Sequence, residues 1–165
     1  MKQVVICDAN ILIDYSNGDK EIIGLITENL YQIKIPLPVW EEVEDLSDED
    51  AAILGIEILE PSMEQIYEAV TMHGGGLSDE DRICFIIARD DKALCATNDS
   101  VLRKMCLDNN IGVLWGLEII AQLCDTQNLT KSSARKLVLK IAQENKTITE
   151  EIVTRFIERI TGKGG

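Results

Sequence analysis

At 165 residues, 45% hydrophobic and with a mean hydropathy of +0.02, the chain suits one domain that buries roughly 70% of its unfolded surface without disulfide or metal staples. Its apolar runs are short and broken by charge, which argues against a membrane span or an apolar signal-peptide core and leads to the expectation of a soluble, cytoplasmic protein. Twenty-nine acids against 16 bases leave a net charge of −13, the opposite of what bulk attraction to nucleic-acid phosphates requires.

Val4-Val5-Ile6-Cys7 is an unbroken apolar run, β-branched at three of its four positions, that stops at Asp8-Ala9-Asn10; a strand buried in a parallel sheet has this pattern. A helical stretch follows from about Ile11. Tyr31–Leu37 reads as a second strand, Ala52–Leu59 as a further strand or a helix-to-strand passage, and Ala93–Thr97 and Ile111–Trp115 as the last two. Helical patterns fill residues 38–46, 62–72, 79–90 and 100–109 between them. Strands alternating with helices predict an α/β fold around a mostly parallel sheet. From Gly116 the strand signal stops and three helical patterns remain, over about 116–127, 131–144 and 149–161, with Gly162–Gly165 as a frayed tail. The charge divides at the same place: residues 1–115 carry 23 acids and 8 bases, residues 116–165 carry 6 acids and 8 bases.

The five cysteines, Cys7, Cys84, Cys95, Cys106 and Cys124, sit among apolar neighbours with no CxxC pair and read as reduced core residues. His73 is the sole histidine, so a Ser–His–Asp or Cys–His system is not available by the usual route; it reads as a loop residue. Gly74-Gly75-Gly76 lacks the Lys-Ser/Thr of a phosphate loop and reads as a turn before Ser78. Seven aromatic residues are too few for a broad base-stacking surface.

Ligands in open α/β sheets bind beyond the C-terminal ends of the strands, and two strand-like runs end in acids there, Asp8 and Asp99. An aspartate in such a place serves either as a helix N-cap or as a site group. On a helix begun by Pro38, Val39, Val43 and Leu46 share a buried face; Glu42 borders it at about 60° while Glu41 points to water. The bland reading is a wet edge, since residues 41–50 hold seven acids and no base. Asp81 shares a stripe with Cys84, Phe85 and Ala88, or else closes a capping box with Ser78. Four carboxylates near one sheet end repel unless something positive neutralises them. Oxygen ligands without histidine or thiolate favour Mg²⁺ or Mn²⁺ over Zn²⁺, and metal activation of water is then the natural source of a nucleophile.

These residues resemble the motifs of the PIN-domain nucleases. Val4-Val5-Ile6-Cys7-Asp8-Ala9-Asn10 is similar to the family's first-strand motif, Pro38-Val39-Trp40-Glu41-Glu42-Val43 to its second, Leu77-Ser78-Asp79-Glu80-Asp81 to its LSxxD motif, and Thr97-Asn98-Asp99-Ser100-Val101-Leu102-Arg103 to its last. The resemblance covers roughly residues 3–116 in order and spacing, and the tail resembles that of a toxin-like, VapC-related branch with extra C-terminal helices. It implies a PIN-like three-layer α/β/α domain over residues 1–116, with residues 117–165 as a helical extension packed on it. It further implies a Mg²⁺- or Mn²⁺-dependent ribonuclease, the toxin of a toxin–antitoxin pair or an RNA-processing enzyme, with RNA as substrate and an antitoxin protein as a partner. Asp8, Glu42, Asp81 and Asp99 would then be the metal-holding catalytic acids. Asn10, Ser78, Thr97, Asn98 and Arg103 would support them or orient substrate, Arg103 holding a phosphate or pairing with an acid. A homodimer is a candidate assembly. Lys131, Arg135, Lys136 and Lys140 recur on one helical face that would receive RNA or an acidic partner, or would simply be solvated. Two other classes compete: a haloacid dehalogenase-like phosphatase, whose second carboxylate is replaced here by Asn10, and a non-catalytic PIN-like protein-binding module.

Overall fold

Val5, Ile6 and Cys7 are fully buried because their strand, β1 (Gln3–Cys7), is the middle one of five. The structure, a computed structural model, describes residues 1–162; of the tail expected at 162–165, residues 163–165 lie outside the described residues. With β2 (Tyr31–Pro36), β3 (Glu57–Leu59), β4 (Leu94–Ala96) and β5 (Val113–Leu114), the order is β3-β2-β1-β4-β5 and every pairing is parallel. Cys7 stands beside Ala96 and Ala96 beside Leu114, so Asp8, Thr97 and Trp115 leave the sheet in one row at its C-terminal edge.

The connections from β1 to β2 to β3 carry α1 (Ala9–Asp19), α2 (Glu21–Asn29), α3 (Leu37–Trp40) and α4 (Asp48–Leu54). Those from β3 to β4 to β5 carry α5 (Met63–Thr71), α6 (Asp79–Asp90) and α7 (Ser100–Asp108). Parallel crossovers are right-handed, so the chain's change of direction across the sheet sends α1, α2 and α4 to one face and α5, α6 and α7 to the other and produces three layers, while α3, directly after β2, also touches α6. α2 lies on β2 with α1 and α4 beside it; α6 crosses β1, β2 and β4 with α5 and α7 beside it. Six successive residues of α6, Ile83–Ala88, are buried by this crowding. The direction changes between β1 and β4, the topological switch point at which α/β sheets open a crevice.

The helix expected over 38–46 does not form. α3 ends at Trp40, and turns carry the chain on through Val43. Val39, Val43 and Leu46 are nonetheless buried as the periodicity requires. A continuous helix would set Glu41 against Asp45 and Glu44 against Asp48, like charges one turn apart. The chain instead restarts at Ser47, where Ser47 and Asp50 close a full capping box for α4. Residues 52–59 are the helix-to-strand passage: α4 stops at Gly55, whose φ of +80° suits glycine, and β3 follows.

The C-terminal segment forms α8 (Gly116–Asp125), α9 (Lys131–Glu144) and α10 (Glu150–Thr161). Ala134, Leu137, Val138 and Ile141 are the buried face of α9, which lies on α1. Gly18 permits that approach, since a Cβ there would stand 2.5 Å from Leu137 and 2.8 Å from Ile141. α10 packs on α8 and α9. All five cysteines are free thiols, four of them buried. Among the described residues no helix is long and apolar enough to cross a membrane.

Candidate functional site

Asp8 is 4% exposed and uses both carboxylate oxygens. Oδ1 accepts the Ile11 amide and caps α1; Oδ2 accepts the hydroxyl of Thr97. Thr97 is fully buried, and its Oγ1 accepts the amide of Asp99 at 3.0 Å. Asp99 caps α7, its Oδ1 accepting the Val101 and Leu102 amides at 2.9 Å. Cap and site group are therefore not exclusive readings of these aspartates. Capping holds each carboxylate at a strand end, and Oδ2 of Asp99 makes no hydrogen bond among the described residues.

Asp81 stands in the first turn of α6 and is half-buried. Its amide donates to the Ser78 hydroxyl at 3.1 Å. The return bond that closes the boxes at Ser47–Asp50 and Ser62–Gln65 is not made, so only half of the expected Ser78–Asp81 box exists. The Asp81 carboxylate remains close to Ser78, which favours its charged form. Glu42 lies on the exposed turn after α3 rather than on a helix face.

The carboxylates press on one another. Asp8 is pushed up to about 6, first by burial and then by the Asp81 and Asp99 charges, against the opposing Thr97 and Ile11 hydrogen bonds. Asp81 is raised first by burial, with Ser78 pulling it down and Asp99 and Glu80 pushing up. Glu42 is raised by partial burial of its carboxyl and then by Glu80 and Asp81. The structure thus brings Asp8, Asp81 and Asp99 together with Glu42 on their flank. Glu80, which sequence reasoning passed over as a variable position of its motif, joins them.

Among the described residues no lysine or arginine pairs with any of the four acids. Arg82 is turned away, donating to the carbonyls of Met72 and Gly74 and so tying down the glycine turn. Arg103 neither pairs with an acid nor points into the cluster: its guanidinium carbon lies 3.7 Å from the centroid of the Trp115 ring. No three of the described histidine, cysteine, aspartate or glutamate side chains already stand in a ligating array. The donor chemistry does fit a hard divalent ion: oxygen atoms only, crowded around the buried Asp8 and without a countercharge.

Asn98 accepts the Gly116 amide through Oδ1 at 3.1 Å and so ties the end of β4 to the start of α8. Ser78 caps α6; Asn10 and His73 are exposed. Lys131, Arg135, Lys136 and Lys140 are all exposed on α9. They are not brought to the acids: α9 meets α1 around Gly18, ten residues or about 15 Å along the helix from Asp8. Trp115 is the other residue not anticipated, 47% exposed at the end of β5; an aromatic residue closing an apolar run reads as core.

No protein-family model matches the chain, and no curated protein matches it in sequence. Among solved structures, a PilT N-terminus domain protein from the hyperthermophilic archaeon Sulfolobus solfataricus P2 is similar. It is 13% identical, with a TM-score of 0.53, and the similarity covers 72% of this chain and 92% of that one. The likeness shows a shared PIN-like fold.

Proposed function

We propose that the chain is a Mg²⁺- or Mn²⁺-dependent endoribonuclease. One observation carries this reading: Asp8, Asp81 and Asp99, flanked by Glu42, converge at the switch point with no cation among them. Asp8, Glu42, Asp81 and Asp99 would hold the ion or ions. When bound, a divalent ion activates water and steadies the leaving oxygen of an in-line phosphodiester hydrolysis.

The chain's own residues prepare that site. Thr97 fixes Asp8 and Asp99 relative to each other through one hydroxyl, and Ser78 caps α6 and so starts the turn that carries Asp81. Asn98 holds the β5 end in place, while Asn10 and Arg103 stand at the margin where a substrate would pass. In this reading residues 1–116 form the catalytic unit. RNA is the substrate, the cytoplasm is the setting, and a role as the toxin of a toxin–antitoxin pair, with an antitoxin partner and a homodimeric form, is the finer version. The α9 basic face would then receive RNA or an acidic partner. A phosphatase with Asp8 as nucleophile has no observation in its favour: position 10, where its second carboxylate would stand, is an exposed asparagine. The acids at all four motif positions also weigh against a purely protein-binding module.

The test is incubation of the purified chain with single-stranded RNA in EDTA, Mg²⁺ or Mn²⁺. Internal cleavage that requires either ion is expected; cleavage that persists in EDTA, or none with any ion, overturns the reading.

A further inference from the structure

With a net charge of −13 and four acids at the crevice, bulk long-range attraction does not bring RNA to this site, so contacts indifferent to charge have to add to its affinity there. Trp115 offers such a contact. It leaves β5 in the row that contains Asp8 and Thr97, two strands from Asp8, which is on the order of 10 Å. Trp115 is 47% exposed, whereas the chain's other tryptophan, Trp40, is 5% exposed.

The ring is also held. Arg103 stacks on it, with its guanidinium carbon 3.7 Å from the ring centroid. The backbone on both sides is fastened: the Leu114 carbonyl accepts the Thr97 amide, the Gly116 amide donates to Asn98, and the Gly116 carbonyl accepts the Tyr15 hydroxyl. An exposed aromatic fixed in this way has little freedom left to lose when a ligand arrives.

Building on the nuclease reading above, we propose that Trp115, backed by Arg103, is a stacking platform for one base of single-stranded RNA, next to the phosphate that is cut. One platform accords with a chain too poor in aromatics for a longer track. Stacking on an aromatic face tolerates any base, so the platform supplies binding and register rather than sequence preference. Such binding is made equally in ground state and transition state, and its loss therefore raises KM and leaves kcat.

The experiment uses the full chain and a short single-stranded oligoribonucleotide. In steady-state cleavage with Mg²⁺, Trp115→Ala is expected to raise KM about tenfold to a hundredfold with kcat little changed, and Trp115→Phe to restore most of the affinity. Because Trp40 is buried, acrylamide-accessible emission belongs to Trp115. In an Asp8→Asn chain, which keeps the RNA intact, the oligonucleotide is expected to shield that emission. Cleavage with an unchanged KM in both variants, or RNA binding that leaves the emission as accessible as before, overturns the platform and leaves the nuclease standing. The second result would hand the exposed ring to a protein partner instead. A parent chain that neither binds nor cleaves RNA overturns both readings.

Discussion

The buried hydroxyl of Thr97 donates to Asp8 while it accepts the backbone amide of Asp99, so one small side chain sets the relation between two acids on neighbouring strands. Replacing it with valine keeps the shape and removes both bonds. A buried carboxylate and an amide then lose a partner each, at a cost of about 1–3 kcal/mol. Thr97→Val is expected to lower the melting temperature and the cleavage rate together, and Thr97→Ser to recover both. A Thr97→Val chain that matches the parent in both measurements would show the bridge to be incidental.

Neutralising one acid of a repelling set has the opposite effect on stability. Asp8→Asn keeps an oxygen for the Ile11 amide, and Asp81→Asn removes charge without removing a cap. Without divalent ion, both variants are expected to melt at or above the parent's temperature. Metal-dependent cleavage should fall by more than the roughly 10–100-fold that losing a residue behind a metal ligand costs. Lower melting temperatures with cleavage retained would make these two acids structural only.

The raised carboxyl of Asp8 also dictates how stability follows pH. Unfolded, it titrates near the ordinary value of about 4; folded, it is pushed up to about 6. Between those values the folded chain binds the extra proton. The metal-free protein is therefore expected to be most favoured below about pH 4, as far as this group is concerned, and to lose up to about 3 kcal/mol as pH rises through 6. Denaturant melts at several pH values, compared with Asp8→Asn, isolate the contribution: the variant should lack this fall, and equal slopes would assign it elsewhere.

Oxygen donors rank divalent ions in a known order. Mn²⁺ is expected to raise the melting temperature at lower concentration than Mg²⁺, and Ca²⁺ to bind without supporting turnover, because it holds geometry loosely. Thermal-shift titrations beside the cleavage assay check both. Zinc bound through a cysteine thiolate would contradict the site as drawn.

The basic face of α9 has its own signature. Reversing Lys136 and Lys140 to glutamate is expected to weaken binding of RNA or an acidic partner and to flatten its salt dependence. Metal affinity should hold, because the face lies about 15 Å along α1 from Asp8 and exposed charges are screened beyond about 8 Å. Identical salt slopes for parent and variant would remove the face from function.

What could be read from the residues alone was whatever local physics decides. A strand buried on both faces must be continuously apolar, so β1 and the acid that ends it stood out, as did Asp81 just ahead of the apolar run Ile83–Ala88. Periodicity puts Glu42 at the border of a helix that does not form, because Val39, Val43 and Leu46 stay buried whether helix or successive turns carry them. Strand order is a long-range fact, and so is the switch point that makes Asp8 and Asp99 neighbours. The exposure of Trp115 and its stacking with Arg103 depend on the same lateral packing and leave no mark in sequence.

The thiols beneath the acids give the protein an internal clock. Cys7 immediately precedes Asp8, and Cys84 reaches up from α6 to the Cys7 carbonyl at 3.8 Å. Both are fully buried, and burial, reinforced by the Asp8 charge, keeps both protonated far above the ordinary thiol range. A protonated, enclosed thiol does not react. Alkylation of Cys7 or Cys84 can therefore proceed only in the moments when the floor of the crevice comes apart, and its rate at these two positions counts those moments without any substitution in the chain.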